Sequence, residues 1–431
     1  MLFFGAKVIS IYWLQIPEAE MTLVALSPAI FFVAISSVMR GYFNGRQNIK
    51  ATARSQTIEQ VFKTALTIIL VEIVAIISNV STEWMAGGAT LATTLATMSG
   101  VGYLYLYYKT RSQEIATEIK STVNYKYERV RTIIKKILLV SIPIALTAIM
   151  SSLNKNIDSF TVVRGLKQFM SEDMAIAQYG ILGGKVDTLT SLPLSINVAF
   201  STALVPAISA AKARKDKKAI TEKTSFSLLT SMLIGLPCTI GMCVFAGPIL
   251  NLLFPNASDG TVILQISSLT ILFTILDQTI NGALQGYGKL KIPTISLGVG
   301  VIVKLILNLI LVPIPEIGVN GAAWASVACH AVAFTIAITS LMRNIKLNLT
   351  FSKFVIKPAL ATAIMGICSY FIYSNLLGII SNKLATIVAI VLAVIIYMIA
   401  IIALKVFNKE EILKMPMGNK ICKALEKLKI Y

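Results

Sequence analysis

The sequence predicts an all-α polytopic membrane protein built from two helical lobes around a central cavity. Three observations predict this fold: a high apolar content, a regular alternation of basic and non-basic connections, and an internal duplication. Of the 431 residues, 56% are hydrophobic and only 14% are charged, and the mean hydropathy is +0.77. Because a soluble chain carries about 25% charged residues, this composition favours a chain with many membrane spans.

Apolar stretches of sufficient length to cross a bilayer occur throughout the chain. A spanning helix needs about 20 apolar residues at a rise of about 1.5 Å each. The short apolar segment before residue 14 resembles the end of a further helix, so twelve spans are expected in all. The other predicted spans are 21–40, 57–79, 85–108, 133–155, 179–210, 225–250, 261–284, 293–312, 319–342, 355–377 and 384–406.

The formal net charge of +19 lies in the connections between these spans. In a soluble protein such a charge would suggest nucleic-acid binding, but here the basic residues concentrate in every second connection and in the C-terminal tail. By the positive-inside rule, those connections and the C-terminus are cytoplasmic. The pattern therefore predicts a multi-pass membrane protein without a nucleic-acid partner.

A stretch of 31 residues occurs twice without a gap, as GYFNGRQNIKATARSQTIEQVFKTALTIILV and GALQGYGKLKIPTISLGVGVIVKLILNLILV. The copies are residues 41–71 and 282–312, and nine positions are identical. Six spans separate the copies, so the two halves have the same orientation and are related by a pseudo-twofold axis along the membrane normal. The identical positions include two glycine pairs, Gly41 with Gly282 and Gly45 with Gly286, and a lysine pair within the apolar helices, Lys63 and Lys304.

The repeat and the charge pattern together predict five regions. They are an incomplete N-lobe of four helices (1–110), a cytoplasmic linker (111–132), a C-lobe of six helices (133–345), two extra helices (346–406) and a basic cytoplasmic tail (407–431). The four glycines of the repeat, in this scheme, are expected to serve as turn and close-packing positions.

Lys63 and Lys304 lie eleven residues into their apolar helices, at a depth of about 17 Å. An ionisable side chain at this depth costs about 2.5–3.5 kcal/mol and normally faces a partner or a wet cavity. One interpretation is a cationic cavity lining that binds an anionic substrate. The other is a lysine that snorkels or pairs within its own lobe, as Lys63 would with Glu59 one turn earlier.

Lys185 and Asp187 lie in the span 179–210, which exceeds the thickness of the bilayer core and contains Pro193 and Pro206. This span must tilt, bend or protrude. Residues two apart on a helix do not share a face, so the two charges are not expected to neutralise each other. Either one of them faces the cavity and contacts substrate, or both lie in the outer headgroup region.

Asp158, Asp277 and Glu59 are the other acidic candidates for a functional site within or near the spans. Each is a possible proton or cation site of an ion-coupled carrier. A hydrogen bond at a helix end or between helices is the alternative for Asp158 and Asp277. Catalytic motifs, phosphate-binding loops and metal-ligand spacings are absent from the sequence, which predicts neither an enzyme nor a resident metal or cofactor.

Five segments resemble the multidrug/oligosaccharidyl-lipid/polysaccharide exporter superfamily. They are SPAIFFVAISSVMRGYFNGRQNIKATARSQTIEQ, GKVDTLTSLPLSINVAFSTALVPAISAA, NGALQGYGKLKIPTIS, KLILNLILVP and GVNGAAWASVACH. Within it, the chain is most similar to the polysaccharide-transporter branch typified by stage V sporulation protein B, and the likeness is collinear over essentially the whole length. Members usually have fourteen helices, of which about 11–12 are expected here, because the chain corresponds to the family from within its third helix.

This resemblance implies transport of a polyprenyl-pyrophosphate-linked saccharide, a precursor of peptidoglycan or another polysaccharide, across a bacterial cytoplasmic membrane by alternating access. The related lipid II flippases have a cationic cavity for the pyrophosphate, to which Lys185, Lys63 and Lys304 would contribute here. Cell-wall synthases are candidate partners. Two alternatives remain: a cation-coupled multidrug antiporter of the same superfamily, and a shortened, non-transporting scaffold in cell-envelope or spore-cortex assembly.

Overall fold

The computed structural model describes residues 2–13, 19–46, 48–77, 82–121, 128–255, 257–347 and 350–407. The regular secondary structure of these residues is helical throughout, as the sequence predicts. Their contacts divide the chain into two compact units, unit 1 (Met1–Glu128) and unit 2 (Arg129–Tyr431). The division lies within the stretch 111–132 that the sequence assigns to a linker.

Unit 1 is a small bundle in which α2 and α3 both pack against α4. Phe43, Ala51 and Leu104, one from each of these helices, form its buried apolar cluster. The linker region is not entirely irregular, because it contains the amphipathic helix α5. The helices of unit 1 are α1 (Leu2–Val8, continued by a π-helical turn, Ile9–Trp13), α2 (Ala19–Gly45), α3 (Ile49–Ile77), α4 (Thr82–Thr110) and α5 (Ser112–Ser121).

Unit 2 contains the remaining helices and two further π-helical turns, Ile181–Val186 before α8 and Ser352–Ile356 before α14. Pro193 and Pro206 both lie inside α8. The helices are α6 (Val130–Leu166), α7 (Glu172–Gly180), α8 (Asp187–Ala213), α9 (Lys217–Val244), α10 (Ala246–Leu253), α11 (Thr261–Gly286), α12 (Lys291–Leu311), α13 (Val319–Asn344), α14 (Lys357–Leu376) and α15 (Asn382–Ala403).

Helix α11 lies at the centre of unit 2, packed against α8, α9 and α13. Helix α12 packs against α13 on one side and α6 on another, and α14 packs against α15 and α9. The buried residues between these helices are often alanine, glycine or serine. Such small side chains let helix backbones approach closely in an apolar solvent, where burial of hydrophobic surface gives no driving force between helices.

Nine helices of the described part of the chain are long and apolar enough to cross a membrane, fewer than the twelve spans expected. The differences lie mainly in unit 1, where α1 is short and α3 and α4 are outside the nine. Helix α4 is rich in Thr, Gly and Tyr, which lowers its hydropathy. In unit 2, the predicted span 225–250 is broken at Phe245, where α9 ends and α10 begins.

The two copies of the duplicated stretch adopt the same local structure. In each copy one helix ends at the second repeat glycine, α2 at Gly45 and α11 at Gly286. The next helix begins within five residues, α3 at Ile49 and α12 at Lys291. This shared helix–turn–helix arrangement brings Lys63 and Lys304 to equivalent positions in the second helix of each copy.

Candidate functional site

A buried ion pair joins α6 and α12 in unit 2. The Lys304 Nζ atom lies 2.6 Å from Asp158 Oδ2, and it also donates to the main-chain oxygen of Asn154 at 2.9 Å. The Lys304 residue is 3% exposed to solvent. A lysine in an apolar interior is tolerated when its charge is neutralised and its donors find acceptors; here the carboxylate neutralises the charge, and two acceptors lie within hydrogen-bond distance of the ammonium group.

Further polar side chains extend the ion pair along the same helices. Asn308, one turn after Lys304, donates to Asp158 Oδ1 and to Thr161 Oγ1, both at 2.8 Å. From α13, the Cys329 thiol lies 3.4 Å from Asn154 Oδ1, and His330 Nε2 lies 3.4 Å from Asn154 Nδ2. Both carboxylate oxygens of Asp158 are therefore occupied.

The structure places Lys304 inside unit 2, paired within its own lobe, rather than free to bind a substrate. Of the two sequence-based interpretations, pairing within the lobe is the one observed for Lys304. The interpretation of Lys304 as an unpaired cavity lysine is therefore corrected. Its partner Asp158 lies 146 residues away in the chain. No local spacing rule connects positions so distant, although each of the two residues stands out in the sequence as a charge near an apolar stretch.

In unit 1, Arg40 of α2 binds Glu59 of α3. The Arg40 Nη2 atom lies 2.6 Å from Glu59 Oε2 and 3.0 Å from Ser55 Oγ. The expected pairing of Lys63 with Glu59 is therefore wrong, because the guanidinium has several donors and binds the carboxylate and the hydroxyl together. Lys63 is exposed on the surface of unit 1. Sequence reasoning overlooked Arg40, which lies just before the duplicated stretch.

Lys185 lies in the π-helical turn Ile181–Val186, and Asp187 begins α8. The Lys185 Nζ atom donates to the main-chain oxygen of Ala257 at 2.5 Å and lies 5.5 Å from the ring centre of Phe254. Asp187 is exposed, and no ion pair joins the two in the described part of the chain. Single π-helical turns within α-helices are frequent at functional sites, so this turn is a candidate for substrate contact.

Asp277 is buried within α11. Asn281 Nδ2 donates to Asp277 Oδ2 at 2.8 Å, whereas Asp277 Oδ1 and Asn281 Oδ1 are both buried without a hydrogen-bond partner. Among the described residues, Asp158 and Glu59 each have a cationic partner, and Asp277 has none. Of the three acids considered for ion coupling, Asp277 is thus the one whose charge stays uncompensated.

A second buried polar cluster, which sequence reasoning missed, joins α8, α9 and α11. Asn197 Nδ2 donates to the main-chain oxygen of Ile275 at 2.9 Å. Ser231 Oγ donates to Asn197 Oδ1 at 2.9 Å and lies 2.6 Å from Thr279 Oγ1. Neutral polar residues in apolar helices carry little signal in a sequence. Because its hydrogen bonds are made internally, this cluster fixes the helix packing.

The repeat glycines differ between the copies. A Cβ atom at Gly282 would lie 2.6 Å from the Ser201 main-chain oxygen of α8, and one at Gly286 would lie 2.7 Å from the Val205 oxygen. The expectation of close packing does not hold for Gly41 and Gly45, because no atom lies within 4 Å of a Cβ built there. Gly45 ends α2 but Gly41 lies inside it, so Gly41 is not a turn residue.

Comparison with known proteins identifies the family. A family model described as "Lipid II flippase MurJ" matches residues 26–407. Stage V sporulation protein B of Bacillus subtilis (strain 168) is 25% identical over 404 residues, which cover 93% of this chain and 76% of that protein. Lipid II flippase MurJ of the same organism is 26% identical over 314 residues, covering 70% of this chain and 56% of that protein.

Two solved structures have the same helical fold. One is described as a lipid II flippase MurJ in an inward closed conformation, with a TM-score of 0.61, 17% identity, and coverage of 92% of this chain and 80% of that chain. The other is an inward-facing multidrug resistance MATE family transporter of the MOP superfamily, with a TM-score of 0.59, 14% identity, and coverage of 80% and 78%. Both likenesses concern a two-lobe transporter fold.

The matched region begins within α2 and ends after α15, so it includes the ion pair of Lys304, the buried Asp277 and the turn that carries Lys185. It therefore covers all the candidate site residues of both units. This chain belongs to the lipid II flippase MurJ family and is a multi-pass transporter of the cytoplasmic membrane rather than an enzyme.

Proposed function

We propose that this protein moves a polyprenyl-pyrophosphate-linked saccharide, a precursor of peptidoglycan or another polysaccharide, from the inner to the outer leaflet of the cytoplasmic membrane. The observation that carries the proposal is the family match over residues 26–407. Relatives that include stage V sporulation protein B and a lipid II flippase support a lipid-linked cell-envelope precursor as the substrate.

The proposal assigns Lys185 of unit 2 to the pyrophosphate and keeps Lys63 of unit 1 as a separate candidate contact with the headgroup. Neither has a carboxylate partner among the described residues, and Lys63 is exposed. Lys185 donates to a main-chain carbonyl, a neutral acceptor that a phosphate oxygen replaces favourably because hydrogen bonds between charged groups are stronger. Asp187, exposed next to this turn, accepts hydrogen bonds from saccharide hydroxyl groups. Lys304 is held by Asp158 and acts by positioning α6 and α12.

Transport follows from alternating access in this proposal. The pyrophosphate binds Lys185 while the polyprenyl chain stays in the lipid, and a change of conformation exposes the headgroup to the outer side. Because the polyprenyl chain never leaves the apolar phase, the protein has only to shield the charged headgroup from the hydrocarbon core.

The proposal is tested with the full chain in proteoliposomes that contain a fluorescent polyprenyl-pyrophosphate saccharide. Headgroup translocation is measured by the access of a membrane-impermeant quencher. The wild-type protein is expected to accelerate translocation, and Lys63→Ala and Lys185→Ala are each expected to slow it about tenfold or more, since a hydrogen bond to a charged group contributes about 1.5–3 kcal/mol.

Lys383→Ala is the matched control, because Lys383 is an exposed lysine at the start of α15, outside the proposed substrate path. It is expected to translocate at the wild-type rate. Wild-type behaviour of the Lys63→Ala, Lys185→Ala double variant would refute the assignment of these lysines. A wild-type protein that leaves the translocation rate unchanged would refute the flippase itself.

A cation-coupled multidrug antiporter is the second candidate, favoured by the likeness to the MATE transporter fold. It predicts uptake of a cationic dye into the same proteoliposomes when an ion gradient is imposed. An exposed lysine lining disfavours cationic substrates by electrostatic repulsion. We therefore expect no dye transport under conditions in which the lipid-linked saccharide is translocated.

A further inference from the structure

Asp277 and Asn281 of α11 have no cationic partner among the residues that the structure describes. Asp277 Oδ1 and Asn281 Oδ1 are buried oxygen atoms one helical turn apart, and neither accepts a hydrogen bond from the described residues. The remaining Asp277 oxygen accepts only from the neutral amide of Asn281. An ionised carboxylate without a compensating charge is among the most costly groups to bury in an apolar interior.

At the equivalent place of the internal repeat, unit 1 has a half-buried acidic residue whose negative charge is compensated by an arginine. Extending the alignment by one residue pairs Arg40 with Asn281 and leaves Glu59 opposite Gly300. In unit 1, Arg40 supplies the cation that binds Glu59 at 2.6 Å. In unit 2, the arginine position holds a neutral amide and the acid lies one turn earlier on the same helix, at Asp277.

Other titratable groups on the helices around α11 do not supply the missing charge. On α12, Lys304 is bound by Asp158. On α13, His330 lies near Asn154, and the Cys329 thiol donates to Asn154 Oδ1. On α9, Cys238 is half-buried, and the charged residues lie in the first two turns, at 217–223. Helix α8 has no charged residue between Asp187 and Lys212. Among the residues that the structure describes, the site is therefore rich in oxygen atoms and without a cation.

We propose that Asp277 and Asn281 bind a small monovalent cation, a proton or an alkali metal ion, in place of the arginine that unit 1 carries at this point of the repeat. A carboxylate and an amide oxygen are hard ligands that suit a small hard cation. Binding neutralises Asp277 and stabilises the packing of α11 against α8, α9 and α13. A coupling role for this ion in transport rests on the proposed flippase function, whereas the site itself does not.

The experiment is thermal unfolding of the purified full chain in detergent micelles, without substrate. Sodium, potassium and choline chloride are compared at one ionic strength and one pH, and a pH series is recorded in choline. An alkali ion that binds only the folded protein is expected to raise the unfolding temperature by about 2–4 °C. A proton ligand gives no alkali response, and the unfolding temperature falls as pH rises.

Two variants distinguish the contribution of this site to the ion or pH response from that of the other carboxylates. Asp277→Asn removes the charge with little change of shape and is expected to abolish the wild-type ion or pH response. Asn281→Arg recreates the unit 1 arrangement and is expected to abolish the response as well, because the guanidinium takes the place of the ion. The control is Asp259→Asn, an exposed acid before α11, which is expected to respond as the wild type does.

The proposal is overturned if Asp277→Asn retains the wild-type response, or if the wild-type protein responds to neither alkali ions nor pH. Translocation of the lipid-linked saccharide is measured separately on the same preparations. An ion response without translocation refutes the proposed function and leaves the site in place. Translocation without an ion response refutes the site and leaves the function in place.

Discussion

Lys304 and Asp158 form an ion pair that is almost closed to solvent. Removing two charges from water can cost as much as their attraction returns, so a buried pair is weak evidence for net stability, and we propose that this one acts in the specificity of packing. Here it fixes the relative position of α6 and α12, with the main-chain oxygen of Asn154 accepting from Lys304 and the amide of Asn308 donating to Asp158. At the residue scale, the largest energetic effect is expected when one partner is removed and the other is left buried.

Lys304→Met is expected to destabilise the protein by about 3–5 kcal/mol, because it leaves the Asp158 carboxylate buried without its counter-charge. The measurement is denaturant unfolding of the purified protein in micelles. Lys63→Met is the control, since Lys63 occupies the equivalent repeat position but is exposed, and a change within about 0.5 kcal/mol is expected.

Adding Asp158→Asn to Lys304→Met removes the stranded charge and is expected to recover most of the lost stability. The interpretation fails if the single and double variants are equally unstable. In that case the loss would come from packing around residue 304 rather than from an unpaired carboxylate.

At the scale of elements, the crossing of α8 and α11 depends on two glycines. Gly282 and Gly286 are one turn apart, and each meets a main-chain oxygen of α8 at a distance that leaves no room for a side chain. In the first copy of the repeat, Gly41 and Gly45 face open space. Identical residues at equivalent positions thus have different roles, because a neighbouring helix crosses one copy at these glycines.

Gly282→Ala is expected to destabilise unit 2 by about 1–3 kcal/mol, since the added methyl group would push α11 away from the backbone of α8. Gly41→Ala is the matched control in the other copy. It lies inside α2 with no atom in the way, and it is expected to stabilise that helix by about 0.5–1 kcal/mol. This reasoning would be contradicted if the unfolding temperatures of both variants shifted in the same direction.

At the scale of the whole molecule, the orientation in the membrane is set by the distribution of charge. The connection between α8 and α9 contains Arg214 and Lys215 and is flanked by Lys212 and Lys217, whereas the connection before α11 contains Asp259. Retention of basic loops on the cytoplasmic side makes the first of these connections internal and the second external. By the same rule we propose that the C-terminus is cytoplasmic.

We expect a membrane-impermeant thiol reagent to label Asp259→Cys in intact cells and to label Lys215→Cys only after the membrane is opened. Both residues are exposed in unit 2, so access is governed by the side of the membrane. The parent protein, whose described cysteines are half-buried or buried, gives the background. Labelling of Lys215→Cys in intact cells would contradict the proposed topology.

The sequence by itself determined the fold class, the five spans between residues 261 and 406 within a few residues, and the duplication. These depend on apolar run length and charge placement, which are local properties of a chain in a bilayer. The tertiary structure alone decided which charges meet. Lys304 pairs with Asp158, Glu59 pairs with Arg40, and Asp277 has no cationic partner in the described part of the chain, because partners on different helices are selected by helix packing over separations that no sequence spacing encodes.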